Sequence, residues 1–217
     1  MSLKDLIIIN NEKVFLENNN FYCENLNVKI LTEELSNHYT VQYIARKSKK
    51  KKFQKVNLAD IKLASNIIKF IYFLFESFKF KKANYLIVSI TPYTFISFLL
   101  LTLFIKKIFI YLISKGQEEY RYILGNWAIW IYDLMYKIVT LNSQVIVCHE
   151  RLFDKKKSHL ITVSRLDDVW VKNHKEALLD KVKFLYVGRM SQEKGIFNFI
   201  KMLNEIKLKY EFSIVGN

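Results

Sequence analysis

KFLYVGRMSQEKGIFNFIKMLNEIKLKYEFSIVGN, residues Lys183–Asn217, is the stretch whose reading decides the fold. Lys183–Val187 is a short apolar run with strand composition, and Gly188 lets the chain turn tightly at its end. Ser191 is placed to cap a helix whose apolar face is Ile196, Phe199, Ile200, Leu203 and Ile206. Glu211–Val215 returns as a second strand before Gly216. A strand, a helix and a second strand of this length make one βαβ unit. In open α/β sheets ligands bind beyond the carboxyl ends of the strands, where helix N-termini favour anions. Arg189 and Lys194 flank that strand-to-helix turn, a pairing suited to a diphosphate: a planar fork and a point charge. An exposed loop with two solvated charges remains the alternative.

Working upstream, the same alternation recurs. Leu6–Ile9 reads as a first strand ended by Asn10 and Asn11, Leu26–Leu35 as a helix and Val41–Ala45 as a second strand. Asp60 is a candidate N-cap for a helix carrying Ile67, Ile68, Ile71, Leu74, Phe75 and Phe78 on one apolar face. Leu86–Ser89 is a buried strand followed by Thr91-Pro92, then an apolar stretch to Ile105 and a strand at Ile108–Ile113. Leu86 to Ile105 holds no charge over 20 residues, enough to span a bilayer. The proline turn and the interspersed Ser and Thr instead favour a βαβ unit with a buried helix. After Gly116 comes a polar loop, QEEYR, then a helix presenting Trp127, Ile131, Leu134, Met135 and Ile138. Val145–Cys148 and Leu160–Val163 are further short strands. The expected class is α/β with mostly parallel sheets and a boundary near residue 170.

The chain has 217 residues, 51% hydrophobic and 25% charged, which excludes disorder, collagen and coiled coil as overall classes. Cys23 and Cys148 form no CxxC pair, so neither a disulfide scaffold nor a zinc ribbon is supported. No signal peptide is read at Met1, and the chain is expected to be intracellular. The net charge of +14 comes almost wholly from lysine, with arginine only at positions 46, 121, 151, 165 and 189. Nucleic-acid readers lean on arginine, so no nucleic-acid partner is expected. His38, His149, His159 and His174 show no metal-site spacing, and there is no GxSxG, Walker A or HExxH motif.

The run VGRMSQEKG (Val187–Gly195) closely resembles the signature that opens the C-terminal domain of retaining glycosyltransferases of the GT-B fold, family 4 type, and FSIVGN resembles that family's next strand. ANYLIVSITPYTFISFLLLTLFIKKIFIYLISKG and NSQVIVCHERL are similar, more generally, to first-domain patterns of the family. The resemblance implies two Rossmann-like domains of the GT-B type, the second incomplete. Residues 1–170 would be the acceptor-side domain, and 171–217 the first βαβ of the nucleotide-sugar domain. It implies transfer of a hexose from a nucleotide diphosphate sugar to a glycan or lipid-linked acceptor, in cell-surface polysaccharide synthesis.

Arg189 and Lys194 would bind the donor diphosphate, with Gly188 and Gly195 allowing close backbone approach. No metal or other cofactor would be required. Lys115, Gly116 and Glu118 form a possible acceptor-side loop, in which Glu118 and Glu119 are either placed for acceptor contacts or acid–base work or simply solvated, and no catalytic base is assigned. The family's glycine-rich loop after the first strand and its paired downstream glutamates have no counterpart here. The 217 residues therefore read as a fragment expected to be inactive alone. A cytoplasmic location is expected, with the KSKKKK run (Lys47–Lys52) and the Ile67–Phe78 face touching the anionic inner surface of the membrane. Two rival readings stay open: a catalytically inactive remnant or binding module, and an integral membrane protein spanning at 86–105.

Overall fold

The computed structural model describes residues 3–152, 158–161, 171–176, 182–188, 190, 194–207 and 209–216. The chain divides into two compact units, Met1–Val163 and Ser164–Asn217. Arg189 and Ser191 lie outside the described residues.

In the first unit the strands are β1 (Lys4–Glu17), β2 (Asn20–Cys23), β3 (Tyr39–Lys47), β4 (Gln54–Val56), β5 (Asp60–Ala64), β6 (Asn84–Val88), β7 (Lys107–Leu112), β8 (Gln144–Val147) and β9 (Ser158–Leu160). Its helices are α1 (Leu26–Ser36), α2 (Ile67–Glu76), α3 (Pro92–Leu103), α4 (Gln117–Leu124) and α5 (Ala128–Leu141). Seven strands run parallel in the order β5-β3-β1-β6-β7-β8-β9. Successive crossovers step one way from β1 to β3 and β5, then the other way from β6 to β9. This is the doubly wound, Rossmann-like arrangement, and the order reverses between β1 and β6. The small antiparallel strands β2 and β4 extend the far end of β1.

Burial explains why Leu6–Ile9 is apolar at every position. Ile7 and Ile9 face one side of the sheet, against Phe70, Leu74, Phe98, Leu101, Tyr132 and Met135 of α2, α3 and α5. Leu6 and Ile8 face the other side, packed with Val28 of α1, Val41 and Tyr43. A strand covered on both faces has no polar side to alternate with. Each fully buried Phe or Leu in these layers contributes roughly 1.5–3 kcal/mol.

Several sequence expectations are corrected. The first strand does not stop at Asn10: it bulges between Ile9 and Lys13 and continues to Glu17. It then reverses through Asn18 and Asn19 (φ 47° and 61°), both left-handed as a two-residue hairpin turn requires. Asp60 opens strand β5 rather than capping a helix, and Asn66 caps α2 with its side chain on Lys69 N–H at 2.9 Å. On α2, Phe70 and Leu74 go into the core while Ile68, Tyr72 and Phe75 are exposed, so the expected apolar face is split. QEEYR is not a loop but the start of α4, with Glu118 and Glu119 in its first turn, where acids complement the helix dipole. The buried face of α5 is Ala128, Tyr132, Met135 and Val139, whereas Trp127 and Leu134 are exposed. Residues 86–105 do not form one helix: they divide into part of β6, a turn and the 12-residue α3. Among the described residues no helix is long and apolar enough to cross a membrane.

The second unit contains β10 (Val182–Val187), α6 (Ile196–Asn204) and β11 (Tyr210–Val215), the two strands parallel and in register from Val182↔Tyr210 to Val187↔Val215. Phe184, Phe199, Phe212 and Tyr210 pack edge to face, with centroids 5.5–5.9 Å apart, beneath the helix. The expected βαβ unit is present. Its helix begins at Ile196 with Gly195 (φ 74°) in the N-cap position.

Candidate functional site

The reversal of strand order between β1 and β6 leaves a crevice at the carboxyl edge of the first sheet, where no crossover helix lies between the two strands. A cavity of about 240 Å³ opens there. Asn11, from the β1 bulge, lines it, with Ser89 and Thr91 from the turn after β6, Gly116 after β7, and Glu119 and Tyr120 from α4.

Each wall is held by a local device. The bulge turns Asn11 outward from the ladder, and Arg46 of β3 donates to its Oδ1 at 3.2 Å while stacking 4.5 Å from the Tyr93 ring. Ser89 sits at φ 62°, the left-handed region that costs a non-glycine residue about 1 kcal/mol. That conformation aims the chain into α3, and the Thr94 hydroxyl donates to the Ser89 carbonyl at 2.9 Å. Thr91 and Thr94 cap α3 reciprocally: Thr94 N–H donates to the Thr91 hydroxyl and Thr91 N–H to the Thr94 hydroxyl, with Pro92 in the first turn. Gly116 lies against the Tyr132 ring, where a Cβ would come within 2.7 Å. The Tyr120 hydroxyl is buried without a hydrogen-bond partner, and burial, with Tyr132 and Glu119 nearby, pushes its pKa from 10.0 up to about 12.

This lining carries one carboxylate, Glu119, with hydroxyl and amide groups set among the apolar Ile90, Pro92, Ile123 and Leu124. Such a surface can exchange hydrogen bonds with a polyhydroxylated molecule. Beside it, at the ends of β7 and β8, a second hollow of about 310 Å³ is lined by Lys115, His149 and Arg151 together with Ile113, Ser114 and Leu152. His149 Nδ1 accepts from the Arg151 N–H at 3.1 Å, which orients the imidazole. The cations give this hollow a preference for anionic groups.

Of the acceptor-side residues expected from sequence, Gly116 lines the first cavity and Lys115 the second. Glu118 lines neither: its side chain points to solvent and pairs with Arg121 at 3.5 Å, one turn along α4. Its neighbour Glu119 faces the cavity instead. Sequence reading missed Asn11, Ser89, Thr91 and Tyr120. The Asn-rich break after Ile9 and the spacing Tyr120–Ile123–Leu124 were the available signals.

In the second unit Gly188 follows β10, Lys194 is exposed and Gly195 begins α6. A Cβ on Gly216 would fall 1.8 Å from the Gly188 carbonyl oxygen, and Gly188 N–H donates to Val215 O at 2.9 Å. The two glycines thus let the ends of β10 and β11 touch through their backbones. Gly195 brings no side chain to cap α6. Among the described residues no side chain caps the N-terminus of this helix, unlike that of α3. Among the described residues no group of His, Cys, Asp and Glu could hold a metal ion.

No family model, curated protein or solved structure matches the chain.

Proposed function

We propose that the chain is a nucleotide-sugar glycosyltransferase of the GT-B type, with donor binding in the second unit and acceptor binding in the first. The observation that carries this reading is the β10–α6 turn. It joins the signature resemblance of Val187–Gly195 to a helix that begins at the left-handed Gly195, beside Lys194. The N–H groups of a helix N-terminus and the lysine suit a diphosphate. The resemblance adds Arg189 to the same role.

As the glycosidic bond breaks, charge grows on the leaving diphosphate, and cations fixed at that point stabilise the transition state more than the bound donor. No metal ion is needed in this scheme. The cavity with Glu119, whose apolar walls can meet a sugar face and whose hydroxyl and amide groups can meet its edges, would receive a glycan acceptor, and the Lys115–His149–Arg151 hollow an anionic group attached to it. On this reading the hexose goes to a glycan or lipid-linked acceptor of cell-surface polysaccharide, on the cytoplasmic side of the membrane.

A second reading is a binding module without turnover, which needs only Lys194 and the helix N-terminus and no catalytic base. The two separate in one experiment on the whole chain, using UDP-, GDP- and ADP-hexoses in the presence of EDTA. Release of nucleoside diphosphate that falls about a hundredfold in Lys194→Ala supports transfer, a loss of the size expected when a donor to developing charge is removed. Binding that needs Lys194, without release, supports the module. If no nucleoside diphosphate binds, both readings fail.

A further inference from the structure

The amino edge of the first sheet, opposite the cavities, carries two adjoining reversals. One follows α2 through a short 3₁₀ turn, Ser77–Lys79, and reaches β6 by way of Lys81 and Lys82. The other ends α3 and enters β7 through Phe104, Ile105 and Lys106. They are packed together: the Phe104 ring lies 5.6 Å from Phe75 and 5.1 Å from Phe78, and Lys106 Nζ sits 4.7 Å above the Phe78 ring.

The second reversal has a geometry that its sequence does not favour. Ile105 N–H donates to Thr102 O at 3.0 Å and Lys106 N–H to Leu101 O at 2.9 Å. This is the Schellman pairing, in which the residue after the C-cap is left-handed and is usually glycine. Here it is Ile105, at φ 52°, a strained position for a β-branched side chain. Nothing inside the fold rewards the choice, since Ile105 is 93% and Leu103 73% exposed.

Around this apolar tip stand Lys79, Lys81, Lys82, Lys106 and Lys107, and no Asp or Glu occurs between Glu76 and Glu118. Glu76, the nearest acid in sequence, is already paired with Lys62 and Lys79. The KSKKKK run is a different feature. It follows β3 at the carboxyl edge, and Lys51 and Lys52 are paired with Glu17 and Glu24.

We infer that the Leu103–Phe104–Ile105 tip, with its ring of lysines, docks the first unit on an anionic lipid surface. Exposed apolar side chains entering the headgroup region, ringed by lysines at the phosphate level, are the two components of peripheral membrane binding. A dense plane of negative headgroups answers both its charge and its shape. The inference rests on the first unit alone and does not depend on the donor-turn reading. A chain docked by this edge holds its cavities toward the aqueous side, so their occupant is a water-exposed group rather than one buried at the headgroups.

The test is flotation of the whole chain with vesicles of phosphatidylcholine, with and without phosphatidylglycerol. Binding is expected only with phosphatidylglycerol and is expected to weaken with salt. Ile105→Gly, which relieves the backbone, should keep or raise the melting temperature yet weaken binding about fivefold or more. Lys81→Glu with Lys82→Glu should weaken it about tenfold or more, while Lys49→Glu with Lys50→Glu should stay within about twofold. Equal binding to both vesicles overturns the inference, as does an Ile105→Gly chain that binds like the wild type. A soluble dimer that Ile105→Gly dissociates would make the tip a self-interface instead, and would also overturn it.

Discussion

Two turns of this chain perform the same topological step and end in opposite chemistry. Both lead from the carboxyl end of a parallel strand into a helix: Ser89–Pro92 between β6 and α3, and residues 188–195 between β10 and α6. The first is closed by its own side chains. Thr91 and Thr94 satisfy each other's N–H groups, and the left-handed Ser89 accepts the Thr94 hydroxyl on its carbonyl. The second has glycine at both ends, and among its described residues no side chain caps the helix. A helix N-terminus that is already capped has little left to offer a ligand, whereas an uncapped one keeps its donors and its dipole available. The same supersecondary unit thus serves as a wall in one place and as a candidate anion grip in the other.

The largest test of this contrast is Gly216→Ala. The open turn depends on β10 and β11 meeting through Gly188 and Gly216, and an added Cβ at 1.8 Å from a carbonyl oxygen has nowhere to go. A loss of about 3 kcal/mol or more in the second unit is expected, at the upper end of overpacking costs. It would be read as faster hydrogen exchange at 182–187 and 210–215. Unchanged protection there would mean that the strand ends are not held as described.

Next in size is Thr91→Ala, which removes one half of the reciprocal cap. A loss of about 1 kcal/mol in urea unfolding is expected. A neutral result would mean that the first turn is not closed by its cap, and the contrast would collapse.

The smallest effect concerns the wall beside that turn. Burial raises the Tyr120 pKa from 10.0 to about 12, so the folded state holds this proton more tightly than the unfolded state. Its contribution to stability is complete below pH 10 and is lost as pH climbs through 12. Tyr120→Phe should therefore lose less stability than the wild type across that window, as followed by urea midpoints. Identical pH slopes would mean that the hydroxyl is solvated rather than buried in the cavity wall.

How much of this was legible in the sequence differs from place to place. The βαβ unit of the second half was readable because helix period and strand run each occupied a separate stretch, bounded by Gly188, Gly195 and Gly216. The β1–β2 hairpin was not. Its turn residues, Asn18 and Asn19, are marked by nothing but a tolerance of left-handed geometry, and the bulge at Asn10–Glu12 looks like a strand end. The α4 helix was read as a loop because QEEYR is polar; it lies on the surface with no residue fully buried, and the helical spacing of Tyr120, Ile123 and Leu124 was the one sign of an apolar face. Of the cavity residues, Gly116 was singled out in advance but Asn11, Ser89 and Tyr120 were not, since they come from three separate segments.

By itself, then, the sequence determined the class and the alternation: continuous apolar runs for doubly covered strands, amphipathic or buried helices between them, and a glycine-bounded turn flanked by Arg189 and Lys194. These are local properties, fixed by period and by backbone preference. The tertiary structure decided the strand order and its reversal between β1 and β6, which no local pattern encodes because pairing joins residues far apart in the chain. From that reversal followed the cavity, the inward position of Glu119 rather than Glu118, and the meeting of Phe75, Phe78 and Phe104 that sets a strained Ile105 at the tip. Which side chains converge is a matter of packing, and packing is resolved only when all the layers are in place.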